Sequence, residues 1–232
     1  HICCSGSMPD EIMLQVTANL CKYVHKAYFC FTIPKPSMLK TKVKVSSIEN
    51  LSDARYCAGM GVEWLGFPLA MPLEKFVEIR NWLAGVQIVG ECTGLKPEEI
   101  KALVASHQPD VIEIDSKVNL VLIQDIELPK ILRVNIDTDN LPALFASAAP
   151  YVSHFLLVGD GPESLQGMES SIEIWAAQYP IILGLDVPEE DLEEWVDQTS
   201  IQGIGLMAGK EDRPGFRDFS DLMSILEKLE ID

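Results

Sequence analysis

Short apolar runs recur along this chain, separated by stretches in which apolar residues return every three or four positions. Runs this short, bounded by polar residues, read as buried strands, and the stretches between them as amphipathic helices. Counted from Met38, eight such pairs follow one another. The expected strands are 41–47, 63–69, 86–92, 110–115, 130–137, 154–158, 180–185 and 203–208. The expected helices are 52–59, 73–83, 97–107, 118–126, 141–149, 171–178, 189–198 and 219–229. Continuously apolar strands alternating with helices predict a parallel sheet covered on its outer face, and eight units predict a parallel eight-stranded (β/α)8 TIM barrel. Residues 38–232 lie slightly under that fold's usual length, so the connecting loops must be short.

Four of the runs end in an aspartate: Asp115, Asp137, Asp160 and Asp186. In a parallel barrel these carboxylates arrive at the carboxyl-end rim, where such folds place ligands. The bland reading is that they cap helices and form turns, since short βα loops commonly finish in a capping Asp. Asp186 fits that reading best, because Val187, Pro188, Glu189 and Glu190 after it look like the start of a helix. Pro97, Glu98 and Glu99 form a second start of this kind.

Composition narrows the function. The chain has 232 residues, 47% of them hydrophobic, and a formal charge of −17. That is enough for one large core, and no apolar run is long enough to span a membrane. The acidity and the absence of clustered Lys and Arg argue against a nucleic-acid partner. Six cysteines have neither the spacing of a metal site nor that of a disulfide frame, so reduced thiols and a cytoplasmic setting are expected, with no cofactor and no metal. Residues 1–37 do not share the βα pattern. They are expected to be an extension outside the barrel, either added or read through from upstream, with a helix over 9–26 packed on the barrel as the other option.

Residues 43–48 (VKVSSI) followed by 50–54 (NLSDA), then 61–67 (GVEWLGF), resemble the opening of the phosphoribosylanthranilate isomerase family. Residues 89–100 (VGECTGLKPEEI) resemble that family's third strand and helix, and 208–211 with 214–218 resemble its last phosphate loop and the segment after it. The resemblance implies a tryptophan-pathway barrel that performs an Amadori rearrangement of an aminoaldose to an aminoketose. Its general base is a cysteine and its general acid an aspartate. Here the position resembling the cysteine is Ser46, a very weak base unless a neighbour such as His or Lys activates it. The position resembling the acid is Val158, with Asp160 two residues further on. The loop arginine after the second strand is missing, and the fourth strand carries Glu113 and Asp115 in place of Gln and His. The phosphate half is better preserved: Gly184 and Gly209 could let a backbone approach a phosphate, and Lys210 or Arg213 could add charge.

Lys44 shares an inward face with Ser46 and, once buried, needs a carboxylate such as Glu113 or Asp115. Three functions remain open. The favoured one is a degenerate isomerase relative that binds a small phosphorylated metabolite as a monomer or homodimer. The alternatives are an active isomerase with Asp160 as acid and Ser46 or a rim carboxylate as base, and a different enzyme in which Asp115, Asp137, Asp160 and Glu91 hold a divalent cation through oxygen ligands.

Overall fold

Eight strands lie side by side in sequence order, all parallel, and the ring closes because β1 (Val43–Ser46) pairs with both β2 (Trp64–Pro68) and β8 (Gly203–Met207). The others are β3 (Gln87–Glu91), β4 (Val111–Asp115), β5 (Lys130–Asn135), β6 (His154–Val158) and β7 (Ile181–Gly184). The structure is a computed structural model, and it describes residues 39–208, 211–213, 216–217 and 220–231. Helices α1 (Leu51–Gly59), α2 (Leu73–Arg80), α3 (Pro97–His107), α4 (Leu141–Ala148), α5 (Glu169–Ala176) and α6 (Leu192–Gln198) fill six of the seven connections between strands, and α7 (Ser220–Lys228) follows β8. This is the (β/α)8 barrel that the hydrophobic pattern predicts.

The fourth connection differs, because the helix expected over 118–126 is a single 3-10 turn, Leu120–Ile123. Asn119 caps it by accepting from the Val121 N–H at 3.1 Å. Only Ile123 and Ile126 of this stretch are buried, a spacing of three that suits a 3-10 turn, and Pro129 follows at once. Two short antiparallel strands after β8, β9 (Glu211–Arg213) and β10 (Phe216–Arg217), were not legible in the sequence pattern.

The capping readings divide. Pro97 opens α3, and Glu99 Oε2 accepts from the Lys96 N–H at 2.8 Å. Asp186, in contrast, caps nothing: α6 begins at Leu192 with Asp191 before it, because residues 188–191 form a turn closed by the Asp191 N–H on the Pro188 carbonyl.

Two hydrophobic layers hold the barrel. The larger lies between sheet and helices and includes Phe145 stacked edge-on against Phe155 and Trp175. The smaller plugs the interior with Trp64, Val89, Val111, Ile131, Leu156 and Ile182. Adding two to each number gives the next inward position towards the mouth: Gly66, Glu91, Glu113, Arg133, Val158 and Gly184. One half of that layer is charged and the other is small or aliphatic.

Cys57 on α1 and Cys92 just after β3 are fully buried, and burial pushes both thiols up from 9.0 to about 12, with Asp53 adding to the effect at Cys57 and Glu113 at Cys92. A folded state that keeps protons which the unfolded chain releases loses stability as pH rises. That loss is expected to begin near 9.0 and run towards 12. Mass-spectrometric mapping after iodoacetamide treatment below that window should find both thiols unmodified in native protein and alkylated in urea.

Candidate ligand site at the barrel mouth

Lys44 is fully buried inside the barrel, and the fold supplies its partners from three strands. Its Nζ donates to Ser46 Oγ at 2.5 Å and to Glu91 Oε1 at 2.9 Å, and lies 2.6 Å from Glu113 Oε2. Glu91 and Glu113 face each other directly in the β3–β4 register. Glu91 also receives the Ser47 backbone N–H, at 3.1 Å on Oε2, from a Ser47 in left-handed conformation with φ of 60°. Arg133 on β5 approaches Glu113 Oε1 at 3.6 Å. Four charged side chains, two of each sign, are thus gathered at the mouth, Lys44 reaching up from the register of Trp64.

Gly66 makes that layer possible. A Cβ there would fall 2.1 Å from Glu91 Oε1 and 3.0 Å from Lys44 Nζ, so no side chain fits beside the pair. Over the layer opens a cavity of about 230 Å³ bounded by Ser47, Pro68, Glu91, Glu113, Arg133 and Met207.

The protonation of Lys44 decides what Ser46 can do. Burial alone pulls the lysine down, but Glu113 and Glu91 together outweigh it, and its pKa ends above the ordinary 10.5. Lys44 is therefore an ammonium that donates to Ser46, not an amine able to take its proton. Among the described residues no histidine substitutes: His107 ends α3, and His154 opens β6 at the end remote from the mouth. β6 stops at Val158, and Asp160 is an exposed residue beyond it. The strand extension that would carry Asp160 onto the inward face of Val158 is absent.

The rim aspartates do not assemble into a group. Asp115 Oδ2 accepts from the Gly94 N–H at 2.7 Å, tying the loop after β3 to β4, and so it is not the partner of Lys44. Asp137 and Asp186 are exposed. None of the four precedes a helix as its cap; that role falls to Asn50 on α1, whose side chain accepts from the Asp53 N–H. Among the described residues no three His, Cys, Asp or Glu side chains are placed to hold a metal ion.

At the ends of β7 and β8 a second cavity, of about 390 Å³, is bounded by Gly184, Asp186, Glu189, Gly205, Met207 and Leu222. The two glycines have a packing role. A Cβ on Gly184 would lie 2.9 Å from Leu156 Cδ1, and one on Gly205 would lie 2.7 Å from the same atom and 3.1 Å from Gly184 Cα. They let two strands close around Leu156. Gly209 and Lys210, also expected as phosphate contacts, lie outside the described residues.

Glu91, Arg133, Gly66 and Ser47 were not picked out by sequence reasoning as one site with Lys44. A signal was present: Glu91, Glu113 and Arg133 are charged residues inside otherwise apolar strands, each two positions after an apolar inward residue.

No family model matches the chain. It is 23% identical over 201 residues to N-(5'-phosphoribosyl)anthranilate isomerase of Aquifex aeolicus, covering 81% of this chain and 97% of that protein. The structure is similar to phosphoribosyl anthranilate isomerase from Thermus thermophilus, with a TM-score of 0.64 at 23% identity over 82% of this chain and 98% of that one. It is also similar to a phosphoribosyl anthranilate isomerase in complex with reduced 1-(o-carboxyphenylamino)-1-deoxyribulose 5-phosphate, with a TM-score of 0.63 at 18% identity over 82% of this chain and 98% of that one. The resemblance read from four sequence segments thus extends over the whole barrel, at the low identity of a distant relative.

Proposed function

We propose that this chain is a divergent, non-catalytic relative of the phosphoribosylanthranilate isomerases, a cytoplasmic barrel that binds a small phosphorylated metabolite without isomerising it. The observation that carries this reading is the Lys44–Ser46 contact. The group in the place of the family's base is a hydroxyl that accepts from an ammonium. Proton abstraction from carbon needs a base within reach whose pKa lies near the working pH. Lys44 is held protonated, Glu91 and Glu113 are engaged as its ion partners, Val158 carries no proton to give, and Asp160 stands outside the strand.

The phosphate half rests on position. The 390 Å³ cavity sits at the ends of β7 and β8, where barrels of this kind seat phosphate on backbone N–H groups. Asp186 and Glu189 on its wall oppose a dianion, so backbone N–H groups and Lys210 must outweigh them. A ligand at about ten times its Kd stabilises by about 1.4 kcal/mol, a rise of roughly 3–6 °C in Tm for a chain of this size. Inorganic phosphate or ribose 5-phosphate should give such a rise in a thermal melt, and Gly209→Asp should abolish it. Equal protection of the variant would place the site elsewhere.

A further inference from the structure

The charged layer at the mouth has unused bonding capacity of both signs. Glu113 is buried to 1% exposure, yet Lys44, 2.6 Å from its Oε2, is its one close donor among the described residues, and its Oε1 has there only the 3.6 Å approach of Arg133. A carboxylate accepts at about four positions, so a buried one so sparsely engaged lacks donors. Arg133 has the opposite surplus. Its guanidinium has five N–H donors, its side chain is 31% exposed, and that long approach to Glu113 is its one ion contact among the described residues.

Both residues face the same 230 Å³ cavity, as does Glu91. Lys44, Glu91 and Glu113 together carry a net charge of −1, and Arg133 beside them carries +1. The complement of such a surface is a molecule with a cationic donor at one end and an anion at the other. The volume is below the roughly 300–1,000 Å³ of sites for drug-sized ligands, so the occupant is small.

We propose that this cavity binds a small zwitterion of the amino-acid type, its ammonium against Glu113 and Glu91 and its carboxylate on the Arg133 guanidinium. A planar guanidinium pairs with carboxylate through two parallel hydrogen bonds. The proposal is independent of phosphate binding at β7 and β8, since among the bounding residues the two cavities share only Met207.

Isothermal titration of the full chain with β-alanine and L-serine tests it, with ethylamine, propionate and inorganic phosphate as comparison arms. At least one zwitterion should bind saturably, and ethylamine and propionate at least ~10-fold more weakly, because each meets only one of the two charges. Arg133→Met should weaken the zwitterion by ~10-fold or more and leave the phosphate arm unchanged, whereas Gly209→Asp should do the reverse. Should Arg133→Met fail to fold, amide shifts of Ser47 and Thr93, both of which bound the cavity, on titrating the unaltered protein locate the ligand. The proposal is overturned by the absence of saturable zwitterion binding, by equal binding to folded Arg133→Met, or by shifts that spare Ser47 and Thr93.

Discussion

Lys44→Met is expected to cost about 3–5 kcal/mol of stability at neutral pH, because it leaves two buried carboxylates facing each other without their cation. Few single substitutions here should do more. The methionine fills the space of the lysine stem, so the loss would measure stranded charge and not a cavity. Replacing Glu91 and Glu113 by Leu in the same chain should recover most of the loss, since a fully apolar substitute for a buried ion cluster is often neutral or better. Denaturant titration of the single and triple variants provides the comparison, and a single-variant cost below about 1 kcal/mol would mean that the network is hydrated. The pH dependence has a definite sign. Lys44 is raised in the folded state, so its contribution is complete below the ordinary value of 10.5 and is lost as pH climbs through the higher folded value. Acid affects this group in neither state.

Gly66→Ala is expected to cost about 2–4 kcal/mol through overpacking and a broken charge contact. Gly66 is not among the residues with positive φ, so alanine meets no backbone objection and the whole effect comes from its Cβ. That atom would lie 2.1 Å from Glu91 Oε1 and 2.8 Å from Glu91 Cδ. A free glutamate would swing aside at little cost. This one is held by the Ser47 N–H on one side and Lys44 on the other. Shortening Glu91 to Ala should therefore make Gly66→Ala nearly harmless, and the double variant should lose less than the two single losses added, by about 1 kcal/mol or more. Strict additivity would mean that the two positions do not touch.

The fold was legible because it depends on hydrophobic period, which every strand kept. β6 (His154–Val158) and α3 (Pro97–His107) have the expected limits, and the other strands are shorter than expected by one to three residues. The fourth connection failed because an apolar run such as 120–123 has the same pattern as the first turn of a helix, and only the nearby Pro129 betrays how little room it has. The site was less legible. Strand alternation put Lys44 and Ser46 on one face, but which carboxylate meets the ammonium depends on barrel shear and side-chain length. Hence Glu113 was anticipated, Asp115 was wrong, and Glu91 was not named as a partner. The rim aspartates misled because arriving at the same end of a barrel is not convergence: Asp115 is used by a neighbouring loop, and Asp137, Asp160 and Asp186 point to solvent. Gly184 also has a packing role that the sequence did not show: a Cβ there would meet Leu156 on the neighbouring strand β6.

Turnover is the most direct test of whether this mouth moves protons. Purified full-length protein is incubated with N-(5'-phosphoribosyl)anthranilate, and formation of the aminoketose is followed against a buffer blank. With an ammonium on Ser46 and an aliphatic group at Val158, no conversion above the blank is expected. Saturable conversion above the blank would contradict the account, and its loss in Ser46→Ala or Asp160→Asn would assign it to those residues.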